Sequence, residues 1–210
     1  MKLLISGFEP FGGEMVNPSW EVVKRLPEVM GEFQIVKICL PTSFLNAGPM
    51  LAEAIRHHHP DVVLSLGQAG GRFAVSFERV ALNIADAQKP DNTGFQPADL
   101  CVIEGGPAAY FSTLPVKRMQ KAVIEDGIPA EISNSAGTFV CNSVMYTALH
   151  ISATENRHIL AGFIHLPYLP CQVIDKAKKP SMTLNDMLGA VKNAIFAIQF
   201  NTESLHTGNN

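Results

Sequence analysis

The residues with the clearest potential for covalent chemistry are Cys141 and His165, separated by about the length of one helical crossover. Cys141 follows the turn signal 135–137 and falls in the first turn of a predicted helix. Free amides and the macrodipole there favour an anion, so a thiol pKa falls from about 8.5 toward roughly 4–7. His165 ends an apolar strand, and an imidazole beside a thiol is the usual requirement for acyl transfer. The alternatives are an inert core cysteine and a structural histidine.

Glu78 is an acid within the otherwise apolar segment 76–83. Its functional interpretation is a third group that holds the tautomer of the imidazole and stabilises the imidazolium. Its structural interpretation is a half-exposed acid paired with Arg72 or Arg79.

Other potentially reactive groups carry weaker signals. The glycine-rich stretches 7–13 and 67–71 match neither phosphate-binding glycine pattern. The run 57–59 of three histidines resembles a metal site, but adjacent helical residues point in different directions, which favours a solvated helix end. Cys39 and Cys171 are interpreted as packing residues, and Cys101 lies in a long loop without a partner. We therefore predict no metal and no cofactor.

The elements that position these residues alternate between short β-rich runs and longer amphipathic ones. The pattern predicts an α/β fold, a three-layer sandwich with helices on both faces of a mainly parallel twisted sheet. Predicted strands cover 2–6, 34–40, 62–66, 130–133 and 158–165, with a hairpin or extended pair in 72–84; predicted helices cover 18–25, 45–58, 113–126, 138–150 and 183–200. Because such sheets bind ligands beyond the carboxyl ends of their strands, Cys141 and His165 are expected on one rim, on neighbouring parallel strands.

Composition limits the class of protein. The chain has 210 residues, 47% hydrophobic and 17% charged, with a net charge of −3. This predicts a single domain over 1–210 with a substantial core and a frayed tail at 202–210. Without a basic cluster or an apolar stretch of membrane-spanning length, nucleic acid and membrane are not expected partners. Four cysteines without a close pair, in a chain lacking an export signal, indicate a cytoplasmic protein with free thiols.

Four segments together resemble pyroglutamyl peptidase type I (pyrrolidone-carboxylate peptidase). They are 7–20, starting Gly-Phe-Glu-Pro-Phe-Gly-Gly, 67–83, 133–142 and 162–168, in order and over nearly the whole chain. The resemblance implies a metal-independent cytoplasmic cysteine peptidase, often tetrameric, that removes N-terminal pyroglutamate from peptides through a thioester. It places a catalytic triad on Glu78, Cys141 and His165.

The same resemblance implies a pocket for the lactam ring. Its members here are Phe8, Phe11, Asn17, Gln68, Phe139 and Val140. One departure is visible: many relatives have Arg-Ile before the Pro-Asp-Asn of the long loop, where this chain has Gln88-Lys89. The contribution of that arginine to the oxyanion site is therefore not carried over.

Two other classes remain open at this level. Nucleoside phosphorylases share this phosphorylase/hydrolase-like architecture and use glycine-rich loops, with Arg72 available for phosphate. A lactam-binding relative without turnover is the other alternative, suggested by Gln88-Lys89.

Overall fold

One seven-stranded sheet organises the chain in a computed structural model that describes residues 1–155 and 158–199. The strands are β1 (Lys2–Phe8), β2 (Val29–Met30), β3 (Phe33–Leu40), β4 (Val62–Gln68), β5 (Val75–Glu78), β6 (Val80–Leu82), β7 (Ala109–Phe111), β8 (Ala130–Ser133) and β9 (Leu160–Leu166). The helices are α1 (Pro18–Arg25), α2 (Ala47–His58), α3 (Val116–Glu125), α4 (Val140–Thr154) and α5 (Leu184–Gln199). The strand order is β2-β3-β1-β4-β9-β5-β8, and β6 pairs with β7 in a separate ribbon.

The sheet is mixed, with a parallel centre. Strands β3, β1, β4 and β9 run parallel, while β5 is antiparallel to β9 and parallel to β8. The predicted α/β class and mainly parallel sheet are confirmed. The expectation that the strand before Cys141 neighbours the strand of His165 is wrong, because β5 lies between β8 and β9.

Helices cover both faces, so the predicted three-layer sandwich is confirmed. Alternate residues of β1 point to opposite faces: Leu3 and Ile5 pack with the core under α1, α3 and α5, and Leu4 packs with the core under α2 and α4. Burying both faces explains why the central strands read as nearly continuous apolar runs. Within the described residues, none of the helices combines the length and hydropathy that a membrane crossing requires.

Local signals account for the first helix. The Oδ1 atom of Asn17 accepts a hydrogen bond from the Ser19 amide at 3.1 Å, and Pro18 occupies the first helical position. The predicted helix 18–25 is therefore confirmed. Helix α4 begins at Val140 rather than at 138, because Gly137 has a φ of +81° and Phe139 is extended.

The segment 72–84 contains two strands, but the predicted hairpin is wrong. Only Arg79 separates β5 from β6, which leaves no turn for them to pair with each other, and they join different sheets. Ser112 donates its amide to the carbonyl of Arg79 at 2.8 Å and draws β6 into the ribbon with β7. The predicted tail 202–210 and Phe200 lie outside the described residues.

Candidate active site

The carboxylate of Glu78 is enclosed between an imidazole and a guanidinium. Glu78 Oε1 lies 2.7 Å from His165 Nδ1 and 2.6 Å from an Arg72 guanidinium nitrogen. Glu78 is fully buried, His165 is nearly so, and the Arg72 side chain is partly exposed. The partner of Glu78 among the two candidate arginines is therefore Arg72; Arg79 instead donates to Asn134. One guanidinium nitrogen of Arg72 is thus committed to Glu78.

Electrostatics keep Glu78 ionised. Burial by itself raises the pKa of the carboxyl, but the hydrogen bond and charge of His165, a hydrogen bond from the Ser133 side chain and the charge of Arg72 lower the pKa below its ordinary value. Since Nδ1 of His165 is committed to Glu78, the imidazole presents Nε2 on its other side.

Cys141 lies at the start of α4 and packs against β4, the strand that pairs with the strand of His165, β9. A Cβ placed on Gly67 would come within 2.8 Å of Cys141 Sγ and 2.7 Å of the Phe163 ring. Gly67 is the direct cross-strand partner of His165 in the β4–β9 ladder. The absence of a side chain at Gly67 therefore lets the sulfur approach the sheet beside the imidazole. Sequence reasoning missed this role of Gly67.

The chain reaches this rim by an indirect path. Ser133, the last residue of β8, pairs with Glu78, which pairs in turn with Phe163, two residues before His165 in β9. Because β8 runs antiparallel to β9, its carboxyl end points away from the rim. Residues 134–139 then connect β8 to α4 and Cys141. The thiol and the imidazole thus share the rim that the sequence predicts, although the strand arrangement behind them differs.

The pKa of the Cys141 thiol differs from the sequence-based expectation. Burial and the negative charge of Glu78 raise this pKa to about 12, outweighing the opposing effects of the cysteine's own amide and of Arg72. The predicted lowering at the helix N-terminus is therefore wrong for this arrangement, because burial and the charge of Glu78 outweigh it. No hydrogen bond joins Cys141 to His165 among the contacts of the described residues.

A cavity of about 100 Å³ opens beside the thiol and the imidazole; we call it the small cavity. All six residues predicted to bind substrate line it, together with Cys141, His165, Thr42 and Ala136: they are Phe8, Phe11, Asn17, Gln68, Phe139 and Val140. Its lining contains no carboxylate. Thr42 was missed, although it follows the strand ending at Leu40 and the rim argument applies to that strand too.

Aromatic rings build the walls of the small cavity. The rings of Phe11 and Phe139 lie 6.3 Å apart, and Phe44 meets Phe139 edge-on at 5.0 Å. Behind the imidazole, Phe163 lies 4.8 Å from the His165 ring. Such contacts fix flat apolar surfaces at little cost in conformational entropy.

The amide of Asn17 has a fixed orientation. Its Oδ1 accepts from the amide and the hydroxyl of Ser19, at 3.1 and 2.8 Å, and its Nδ2 donates to the carbonyl of Glu9 at 3.0 Å. Asn17 is therefore both the cap of α1 and a lining residue whose second N–H remains available.

A second opening of about 460 Å³, which we call the outer groove, shares Phe11, Thr42, Gln68 and Phe139 with the small cavity. The long loop forms one side of it, including Gln88 and Lys89. Those two residues therefore border the groove that adjoins the small cavity.

The long loop is tied to the rim at Asp91 and Asn92. Asp91 is buried and accepts from the amides of Phe44, Thr93 and Phe95 at 2.8–3.0 Å. Although burial raises the pKa of Asp91, the hydrogen bond from the Thr93 hydroxyl at 2.7 Å and these backbone bonds lower it overall. Asn92 donates to the Glu9 side chain at 2.8 Å.

Asn142, which follows Cys141 in α4, links α4 to the backbone of residues 82–84. Its amide, fully buried, accepts from the Leu82 amide at 2.8 Å and donates to the carbonyls of Leu82 and Ile84, each at 2.9 Å. The side chain thereby acts as a peptide group for β6. The sequence places Asn142 beside Cys141 but gives no signal for this contact across 60 residues.

The remaining cysteines lie elsewhere. Cys39 is half-buried, and Cys101 and Cys171 are exposed. The predicted packing role of Cys171 is wrong, because its neighbour Gln172 is the buried residue of the 3₁₀ turn Pro170–Gln172. Within residues 1–155 and 158–199, His, Cys, Asp and Glu side chains do not gather in threes that could hold a metal ion.

An α/β sheet that brings a thiol, an imidazole and a buried carboxylate together defines an enzyme of the cysteine-peptidase class. The chain belongs to the pyroglutamyl peptidase family, whose model matches residues 1–201.

Comparison with individual proteins agrees. The pyrrolidone-carboxylate peptidase of Clostridium perfringens is 49% identical over 207 residues, covering 99% of this chain and 97% of that protein. Among solved structures, pyroglutamyl peptidase I of Bacillus amyloliquefaciens has a TM-score of 0.91 and 45% identity, over 94% of this chain and 96% of that one. A variant of the pyrrolidone carboxyl peptidase of Pyrococcus furiosus has a TM-score of 0.92 and 45% identity, over 96% and 99%.

Proposed function

We propose that this enzyme hydrolyses the peptide bond after an N-terminal pyroglutamyl residue, with Cys141 as nucleophile, His165 as acid and base, and Glu78 as the group that orients His165. The names of its relatives support the substrate. The observation that carries the proposal is the small cavity, which combines phenylalanine walls with amide side chains, lacks a carboxylate and borders both Cys141 and His165. We further propose that residues 1–210 act as one domain.

The small cavity suits a neutral lactam. Pyroglutamate has no free amine, so its binding site requires no carboxylate to hold an ammonium group. The volume of about 100 Å³ is far below the roughly 300–1,000 Å³ of sites for drug-sized ligands, which fits one small ring. A site whose polar groups pair with the lactam rejects proline, because those groups would be left unsatisfied.

The first half of the reaction forms a thioester. His165 Nε2 takes the proton of the Cys141 thiol as the sulfur attacks the carbonyl carbon that follows the lactam ring. The amides of Val140 and Cys141 have no backbone acceptor among the described residues, so they are available to the developing oxyanion. The tetrahedral intermediate then collapses, the C–N bond breaks, and His165 protonates the departing amine.

The second half hydrolyses the thioester. A water molecule gives its proton to His165 as its oxygen attacks the acyl carbon, and the thiol leaves with that proton. Pyroglutamate is released as the free acid, and Cys141 and His165 return to their starting states. Glu78 stays ionised throughout, because its lowered pKa makes it a partner for the imidazolium rather than a proton acceptor.

The raised pKa of Cys141 makes proton transfer part of the attack. With a protonated resting thiol, the contact between Sγ and Nε2 has to tighten when the substrate binds, as is common for catalytic hydrogen bonds that are long in ligand-free enzymes. We therefore propose that the thiol transfers its proton to His165 only after the substrate has bound, and that the resting enzyme holds no preformed thiolate.

The test is release of a chromophore from a pyroglutamyl anilide, with and without a metal chelator. We expect turnover that the chelator leaves unchanged and that Cys141→Ala abolishes, while Cys171→Ala, the matched control at an exposed thiol, retains it. Undiminished turnover by Cys141→Ala would refute the nucleophile assignment. A wild-type enzyme that binds pyroglutamal but releases no amine would favour the lactam-binding alternative, and stabilisation by phosphate alone would favour the phosphorylase.

We also propose that the enzyme works in the cytoplasm as a homo-oligomer, as the family resemblance implies. All four cysteines are free, which suits a reducing compartment. Phe73, Phe111 and Ile174 are large apolar side chains more than half exposed. Light scattering coupled to gel filtration measures the oligomer, and cell fractionation measures the location; a monomer, or enzyme outside the cytoplasm, would contradict these two statements.

A further inference from the structure

Gln172 is hydrogen-bonded to Gln68, a residue that lines the small cavity. Its side chain is buried, with 6% of its surface exposed. Gln172 Oε1 accepts from the backbone amide of Leu169 at 2.9 Å, and Nε2 donates to Gln68 Oε1 at 2.8 Å. Nε2 also lies 3.2 Å from both Glu14 Oε2 and the carbonyl of Val16. The donor on one side and the acceptors on the other are therefore consistent with one orientation of the Gln172 amide.

These contacts determine the direction of the Gln68 amide. A backbone N–H can donate only to an oxygen, which assigns Oε1 of Gln172, and two neighbours of Nε2, the Glu14 carboxylate and the Val16 carbonyl, can only accept. Gln68 must then present its own Oε1 to Gln172. Its Nε2 has no other partner among the described residues, and Gln68 lines both the small cavity and the outer groove. The amide thus offers donors to a bound ligand.

We propose that Gln172 is a positioning residue for specificity: it holds Gln68 with its N–H groups toward the ligand, so that the site selects a ring that carries a hydrogen-bond acceptor, the lactam carbonyl. This inference rests on the proposed function for the identity of the ring. Gln172 itself does not line either cavity and acts through Gln68.

Loss of Gln172 would release this constraint. The Gln68 amide could then rotate and place its oxygen against the ring carbonyl, or leave its donors unpaired, at a cost of about 1–3 kcal/mol for an unsatisfied polar group. That cost corresponds to roughly 10- to 100-fold in affinity. A ring without polar atoms would bind with nearly unchanged affinity, because it makes no demand on Gln68.

The test compares two aldehydes that both add reversibly to a thiol. Pyroglutamal carries the lactam, whereas cyclopentanecarbaldehyde has the same ring size without the amide. Calorimetry measures both affinities for wild type, Gln172→Leu and Gln172→Glu. The Glu variant keeps the shape and the bond from Leu169 but, when ionised, cannot donate to Gln68. Gln120→Leu is the control, a half-buried glutamine on α3 bonded to the carbonyl of Ala130.

We expect both variants at position 172 to weaken pyroglutamal binding about 10- to 100-fold and cyclopentanecarbaldehyde binding less than threefold, with Gln120→Leu unchanged on both. Equal losses for the two aldehydes would leave the ratio of their affinities unchanged, which would indicate a general structural effect and overturn the proposal. If the wild-type enzyme binds pyroglutamal more tightly than cyclopentanecarbaldehyde but does not cleave the anilide, the proposed reaction is contradicted and the proposed role of Gln172 is not.

Discussion

Glu78 and His165, 87 residues apart in the chain, meet across the antiparallel pair of β5 and β9 with 2.7 Å between Oε1 and Nδ1. The same carboxylate oxygen holds Arg72 at 2.6 Å. A fully buried carboxylate is costly unless it is paired and hydrogen-bonded, and both partners are present here. The orientation of the imidazole toward Cys141 thus depends on a charge that the fold keeps buried and ionised.

Replacing Glu78 with Gln should reduce kcat by up to ~10⁴-fold, by analogy with the acid-to-amide change in a serine protease triad. The amide keeps the shape but cannot stabilise the imidazolium or hold the required tautomer. Steady-state kinetics on the anilide measure the effect. Glu131→Gln is the control on the adjacent strand β8, where the carboxylate contacts Ser76; it should stay within about threefold. Comparable kcat values for the two variants would contradict the role of Glu78.

The thiol pKa of about 12 predicts the alkylation behaviour of the ligand-free enzyme. At pH 7 iodoacetamide should label the exposed Cys101 and Cys171 before Cys141, because only the thiolate reacts. Labelling of Cys141 should rise about tenfold per pH unit through the alkaline range. Peptide mass spectrometry after timed quenching gives the three rates. Preferential labelling of Cys141 at pH 6 would instead support the preformed thiolate that the helix N-terminus suggests.

Gly67→Ala should lower both activity and stability. The added methyl would lie 2.8 Å from Cys141 Sγ and 2.7 Å from the Phe163 ring, so α4 or the ring must move. Overpacking of this kind costs about 1–3 kcal/mol in the free energy of unfolding. Urea denaturation and the anilide assay measure the two effects.

Gly189→Ala provides the control for that substitution. This glycine lies within α5, and its added Cβ would meet Ile128 at an ordinary 3.5 Å. The free energy of unfolding should rise by about 0.5–1 kcal/mol, because alanine favours a helix interior. Unchanged activity in Gly67→Ala would show that the sulfur does not need the space above Gly67.

Asp91→Asn should loosen the long loop at neutral pH. The substitution removes an acceptor from a cluster of backbone donors and should cost about 1–3 kcal/mol in the free energy of unfolding. The folded-state pKa of Asp91 is lowered, so its stabilisation is fully present above the unfolded-state value of about 3.9 and is lost as the pH falls through the folded-state pKa.

The difference between wild type and Asp91→Asn should therefore shrink below about pH 4, measured by urea denaturation at several pH values. Asp99→Asn, at an exposed position in the same loop, should follow the wild type. A gap that stays constant from pH 7 to pH 3 would mean that the charge of Asp91 does not stabilise the loop.

Much of the architecture follows from short-range pattern. The alternation of Leu3, Leu4 and Ile5 places apolar side chains on both faces of a strand, and the cap Asn17 with Pro18 starts α1 at the predicted residue. These features depend on backbone geometry and local burial, which neighbouring residues largely specify. Cys141 and His165 do line one cavity, as expected, but the parallel-strand argument behind that expectation fails, because β8 runs antiparallel to β9.

The amino-acid sequence by itself determined the alternating elements, the family resemblance and the residues that surround the small cavity. Only the tertiary structure decided that β5 separates β8 from β9, that Arg72 rather than Arg79 pairs with Glu78, and that burial beside Glu78 raises the pKa of the Cys141 thiol. It also decided the link from Gln172 to Gln68 across 104 residues. Desolvation and charge pairing depend on which distant groups are packed together, and local propensities carry no information about those neighbours.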